Sequence, residues 1–139
     1  MAAPIYLADT SALVLRRLDA RARERHARLT AEGRLAACQM TTLEFLNTAT
    51  SPSDHATILA ALNGGRWMDV TTDALDRAIA VHSELAGRSQ HREFSLPDLI
   101  IAATAEQHGA TVLHYDADYD RIAEITGQPT EWIVERGSL

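Results

Sequence analysis

Four carboxylates stand where a folded chain has little structural need of them, each bordering an apolar run. Asp9 closes Ile5-Tyr6-Leu7-Ala8, and Asp116 follows Thr111-Val112-Leu113-His114-Tyr115. Glu44 interrupts Leu43, Phe45 and Leu46, and Asp98 lies between Leu96-Pro97 and Leu99-Ile100-Ile101. Two carboxylates about 4 Å apart repel by roughly 4 kcal/mol at an effective dielectric of 20. A fold that gathers several of them therefore calls for a cation. Oxygen donors without cysteine suit the hard ions Mg²⁺ or Mn²⁺. The chemistry this suggests is metal-dependent cleavage of phosphoesters.

Taken singly, each acid has a plainer explanation. An acid in the first turn of a helix, as Asp98 would be, gains about 0.3–1 kcal/mol from the macrodipole. Asp9 reads equally as an Asx turn or helix cap, and Glu44 as part of an exposed helical face. The order and setting of all four together carry more weight than any one.

Short apolar runs alternate with segments of helical period. Strands are expected at Ile5–Ala8, Leu35–Met40, Trp67–Val70, Thr111–Tyr115 and Glu131–Val134. Between them the spacing predicts helices over Thr10 or Ser11 to Leu18, Ala20–Glu32, from a Thr41 or Thr42 cap through Glu44, and from Ser51-Pro52 to Gly64. Further helices follow at Asp73–Leu85, with Leu75, Ala78, Ile79, His82 and Leu85 on one face, at Leu96–His108 behind a Ser95 cap, and at Tyr119–Thr126. Strands alternating with helices imply a mainly parallel sheet covered on both faces, a three-layer α/β/α arrangement. No repeat or linker divides residues 1–139, so one domain is expected. In such sheets sites form beyond the carboxyl ends of the strands, which is where Asp9 and Asp116 fall.

Composition narrows the chemistry. The chain has 139 residues, 46% of them hydrophobic, enough to bury a full core. All 13 basic residues are arginine, which excludes P-loop nucleotide hydrolysis and Schiff-base catalysis, both of which need lysine. A haloacid-dehalogenase-type phosphatase is disfavoured for the same reason, and because Ser11 stands where that family needs a second acid. Cys38, the single cysteine, excludes an intrachain disulfide and reads as a buried small hydrophobe. The net charge of −6 means that a nucleic-acid partner requires local arginines or bound metal. No stretch is long enough to span a bilayer. Met1-Ala2-Ala3-Pro4 carries no basic segment, so no signal peptide and a cytoplasmic location are expected.

Asp9-Thr10-Ser11-Ala12, Thr41-Thr42-Leu43-Glu44-Phe45-Leu46, Pro97-Asp98-Leu99-Ile100-Ile101-Ala102-Ala103-Thr104-Ala105 and His114-Tyr115-Asp116-Ala117-Asp118-Tyr119-Asp120 occur in this order, ahead of Gly127-Gln128-Pro129-Thr130-Glu131-Trp132. This arrangement resembles the PIN domain, and within it the VapC-type toxin ribonucleases, over nearly the whole chain. The resemblance implies a PIN-like fold and a Mg²⁺- or Mn²⁺-dependent endoribonuclease leaving 5′-phosphate and 3′-hydroxyl ends. It implies Asp9, Glu44, Asp98 and Asp116 as the catalytic acids, with Asp9, Asp98 and Asp116 on the metal. It also implies an RNA substrate, a VapB-type antitoxin and a homodimer. The non-enzymatic alternative is a PIN-like module that only binds RNA or an antitoxin.

Several positions stay open. Asp118 competes with Asp116, although it also reads as the cap of the next helix. His114 stands where many PIN domains carry Thr or Ser, and could bind metal, bind phosphate or simply pack. Thr10 and Ser11 are candidates for supporting or phosphate contacts. Arg92, with Arg88 and His91, precedes the Asp98 helix and is better placed for substrate than the stripe Arg17, Arg21, Arg25, Arg28. That stripe reads as a solvated face carrying Glu24–Arg28 and Arg28–Glu32 pairs. His82, Trp67 and Trp132 are expected to pack.

Overall fold

A computed structural model describes residues 3–139; Met1 and Ala2, the start of the segment expected to lack a leader, lie outside the described residues. Five strands, β1 (Tyr6–Ala8), β2 (Leu35–Ala37), β3 (Arg66–Trp67), β4 (Thr111–His114) and β5 (Thr130–Trp132), form one sheet in the order β3-β2-β1-β4-β5. Every pairing is parallel. The helices are α1 (Thr10–Leu15), α2 (Ala20–Ala31), α3 (Gln39–Leu46), α4 (Pro52–Asn63), α5 (Thr72–Gly87), α6 (Leu96–Gln107) and α7 (Asp118–Thr126), with a 3₁₀ turn at His91–Glu93. None of the described helices is long and apolar enough to cross a membrane.

Strands buried on both faces read as continuous apolar runs, and the two faces separate by alternation. Leu7 and Val112 join Val81, Leu85, Leu99, Ile101 and Ile122 in one core, under α5, α6 and α7. Tyr6 and Leu113 point the other way, toward Ala12, Leu15, Ala22, Leu29 and Ile133. The chain runs from β1 outward to β3, then returns to the far side of β1 as β4. The reversal leaves a crevice between the carboxyl ends of β1 and β4, the usual place for ligands in an open parallel sheet.

The helix starts differ from those expected. Asp9, rather than Thr10 or Ser11, caps α1, its side chain accepting the Ser11 N–H. That helix ends at Leu15, leaving Leu18 exposed. β2 stops at Ala37, and Cys38 replaces Thr41 or Thr42 as the cap of α3. Thr41 instead supports the cap: its hydroxyl accepts the Cys38 N–H at 3.0 Å and donates to the Cys38 carbonyl at 3.1 Å. Asp118 does not cap α7; it is the first helical residue after Ala117, and its N–H donates to Asp116 Oδ1 at 2.9 Å.

The inward face of α5 is Ala74, Ala78, Val81 and Leu85; of the expected Leu75, Ala78, Ile79, His82 and Leu85, only Ala78 and Leu85 lie on it. Small residues let this helix approach α6, whose buried face carries Ala102, Ala103 and Ala105. Leu75 and Ile79 are left exposed, with Leu96 lining the same shallow apolar groove. Trp67 is likewise partly exposed on an edge strand, its indole N–H donating to Asp69 Oδ1.

The arginine stripe is interrupted between α1 and α2, and the expected Glu24–Arg28 and Arg28–Glu32 pairs are absent among the described residues. Arg25 has a structural task. Its guanidinium donates to the carbonyls of Trp132 and Ile133 at 2.7 and 3.1 Å and to Glu131 Oε1 at 2.8 Å. It thereby ties α2 to the edge strand β5. Hydrogen bonds made by charged groups contribute about 1.5–3 kcal/mol. Arg25→Ala is expected to lower unfolding free energy by about 2 kcal/mol, read as a shifted urea midpoint.

Candidate active site

Four elements deliver carboxylates to the crevice. Asp9 follows β1 directly; its N–H extends the sheet ladder to the Leu113 carbonyl at 2.9 Å. Asp116 follows β4, Glu44 lies on α3, and Asp98 occupies the first turn of α6 behind the Ser95 cap. Asp9, Glu44 and Asp98 each offer an oxygen within 4.8 Å of the others, and so do Asp98, Asp116 and Asp118. Asp98 belongs to both groups and is the centre of the cluster. Asp116 and Asp118 therefore both reach the rim, because α7 begins where β4 ends.

The cluster is buried at its floor and open at its mouth. Asp9 and Asp98 are 3% and 9% exposed, whereas Glu44, Asp116 and Asp118 are intermediate. The nearest cation is Arg121, 3.6 Å from Asp118 Oδ1 and paired more closely with Glu93 at 3.1 Å. Among the described residues no basic side chain pairs with Asp9, Glu44, Asp98 or Asp116. The acids respond as uncompensated buried charges do. Burial, then the neighbouring Asp9, pushes the Asp98 carboxyl up to about 7. The same two causes raise Glu44, and burial followed by Asp116 raises Asp118.

Hydroxyls orient the acids. Ser11 donates to Asp9 Oδ2 through its N–H at 3.0 Å and its hydroxyl at 2.6 Å, while its Oγ accepts the Tyr115 N–H at 2.9 Å. Thr10 donates to Glu44 Oε1 at 3.2 Å. Tyr119, which sequence reasoning did not single out, brings its hydroxyl within 2.7 Å of Asp9 Oδ1 and 3.0 Å of Asp98 Oδ1. A signal for it existed: a tyrosine beside an acidic turn and facing the core needs a polar partner for its hydroxyl.

His114 is fully buried, its ring packed against Tyr119 and Trp132 at centroid distances of 5.1 and 4.9 Å. Its Nδ1 accepts the Asp116 N–H at 3.1 Å. Burial lowers its pKa, so the neutral ring keeps its proton on Nε2, 3.7 Å from Asp120 Oδ1. Neither nitrogen has a lone pair to give a cation in the crevice. Arg92 is exposed on the 3₁₀ turn and forms no ion pair among the described residues. Arg88 is held, loosely, by Glu84 at 3.9 Å.

The donor set is thus entirely oxygen, rich in carboxylate and lacking its own counter-charge, which fits a hard divalent cation.

Known proteins resemble this chain in sequence and in fold. The family model described as PIN domain matches residues 6–125. The chain is 42% identical over 135 residues to Ribonuclease VapC51 of Mycobacterium tuberculosis, covering 96% of each protein. It is 41% identical to Ribonuclease VapC18 of the same organism, covering 97% of this chain and 99% of that one. The structure is similar to that of DNA-bound VapBC from Salmonella typhimurium, with TM-score 0.76 and 19% identity over 95% of this chain and all of that one. It also resembles VapBC-1 from nontypeable Haemophilus influenzae, with TM-score 0.75 and 15% identity over 94% of this chain and 99% of that one. At those identities the structural likeness speaks to the fold.

Proposed function

The chain belongs to the PIN-domain family, and from that premise we propose that it is a Mg²⁺- or Mn²⁺-dependent endoribonuclease, the toxin of a toxin–antitoxin pair. The observation that carries this reading is the convergence of five carboxylates on one crevice, four of them without a basic partner among the described residues. The relatives named as VapC ribonucleases, matched over nearly their full length, support RNA as the substrate.

In this reading Asp9 and Asp98 hold the cation from the buried floor, and Asp116 completes the set from the open side, with Asp118 beside it. Bound there, the ion supplies positive charge that acidifies water and steadies the departing 3′ oxygen. Ser11 keeps Asp9 turned toward the crevice. Glu44 has Oε1 engaged by Thr10 and leaves Oε2 free to accept a proton from the attacking water. Burial and then Asp9 raise its pKa, the direction that strengthens a carboxylate as a base. The products carry 5′-phosphate and 3′-hydroxyl ends.

Residues 1–139 act as one PIN unit, in the cytoplasm, as a homodimer restrained by a VapB-type antitoxin. An acidic crevice attracts a basic partner segment, which would compete with the metal for the same oxygens.

Incubating purified, antitoxin-free chain with total RNA tests the reading. Discrete cuts are expected in Mn²⁺ or Mg²⁺, lost in excess chelator and restored when metal is returned. A folded sample that cuts in neither metal would make this chain a binding module and not an enzyme.

A further inference from the structure

Tyr119 spends a buried hydroxyl where a phenylalanine ring would fill the same space. The residue is 2% exposed and its ring packs on His114. Taking a hydroxyl out of water is costly unless it finds partners, and the partners here are the two acids at the floor of the crevice. They arrive from segments far apart in sequence, one just after β1 and the other on α6, and repel each other.

From this geometry we propose that Tyr119 is a positioning residue whose hydroxyl, lodged between Asp9 Oδ1 and Asp98 Oδ1, holds the two carboxylates in a spacing ready for a single cation. The inference rests on the metal-dependent reading above. Ser11 fixes Asp9 Oδ2 with two donors, and Tyr119 fixes Asp9 Oδ1 with one. Each carboxylate oxygen can accept more than one partner, so Asp9 keeps a lone pair on Oδ1 for metal while its plane cannot rotate. The phenol has a single proton, which the Oδ1 atoms of Asp9 and Asp98 share at 2.7 and 3.0 Å, so it offsets their repulsion at this spacing while Asp98 keeps Oδ2 for metal. The hydroxyl thus acts on the cation through both ligands without touching it. Groups that orient metal ligands in this way typically change metal affinity by about 10–100-fold.

Mn²⁺ titration of the metal-free chain by calorimetry tests this, using the parent, Tyr119→Phe and Ile122→Val. Ile122 is buried on the same helix and makes no contact with the acids among the hydrogen bonds described. The parent and Ile122→Val are expected to bind Mn²⁺ alike, and Tyr119→Phe about 10-fold more weakly. Saturating Mn²⁺ should restore most of the RNA cleavage lost by Tyr119→Phe. Should that variant lose metal-free stability, the rise in melting temperature on adding Mn²⁺, taken from its own metal-free value, gives the same comparison. Equal Mn²⁺ affinity in Tyr119→Phe and the parent would overturn the proposal, as would equal weakening in Ile122→Val. A parent that binds no Mn²⁺ would overturn the metal-dependent reading itself, with this inference.

Discussion

Asp98→Asn is expected to lower RNA cleavage by at least about 10³-fold and, at the same time, to make the metal-free protein more stable. Asp98 is the acid shared by both carboxylate groups, so its loss removes the residue that joins the floor to the open side. The several kcal/mol of charge stabilisation that a bound metal contributes translate at about 1.4 kcal/mol per tenfold in rate. Stability moves the opposite way. Holding the ionised Asp98 carboxyl in the metal-free crevice opposes folding, because its pKa stands at about 7 against 3.8 for the unperturbed group. At roughly 1.4 kcal/mol per pKa unit, an uncharged amide of the same shape relieves on the order of 4 kcal/mol at pH 8. The melting temperature should therefore rise by several degrees in chelator, and Mn²⁺ should raise it little further. Cleavage of a single-site RNA and thermal melts of the same preparations check both halves. A variant that cleaves at the parental rate would remove Asp98 from the mechanism.

The second large effect is on pH. Asp98 is an acid whose folded pKa lies above its unfolded one, so between about pH 4 and 7 the folded chain keeps a proton that the unfolded chain has released. Linkage then makes metal-free stability fall as pH rises through that window and level off above about 7, as far as this group is concerned. Binding a cation must displace the same proton. Apparent Mn²⁺ affinity should rise about tenfold per pH unit up to about 7 and flatten beyond. The raised pKa of Glu44 adds to the trend. At limiting Mn²⁺, cleavage should fall roughly 100-fold from pH 7 to pH 5, and saturating Mn²⁺ should recover part of it. Calorimetric titrations at fixed pH values read this directly; an affinity flat from pH 5 to 8 would mean that Asp98 is not where the metal binds.

The strands and the acids could be read from the chain because each acid breaks an apolar run, and Asp9, Asp98 and Asp116 do so where a strand ends or a buried helix begins. Asp9 and Asp116 were legible for that reason, and so was the Ser95 cap that brings Asp98 inward. The face of α5 was not. Two apolar stripes overlap there, and the larger residues Leu75 and Ile79 suggested the inside. Close packing on an alanine-rich helix put Ala74 and Val81 inside instead, beside the expected Ala78 and Leu85. Cys38 as a cap was also illegible, since capping preferences favour the threonines that follow it. Sequence order left Asp116 and Asp118 as competitors, whereas the immediate start of α7 after β4 lets both reach the rim. Tyr119 stood in the sequence only as the start of a helix, and its ring is core. The direction of its hydroxyl depends on how α7 lies against β1 and α6, which no local pattern encodes.

The most direct measurement is diffraction from crystals of the parent chain soaked in Mn²⁺, recorded where manganese scatters anomalously. A peak about 2.0–2.3 Å from carboxylate oxygens of both Asp9 and Asp98, absent in Asp98→Asn crystals soaked alike, is the predicted result. A fully occupied manganese elsewhere on the chain, with the crevice empty, would contradict the account.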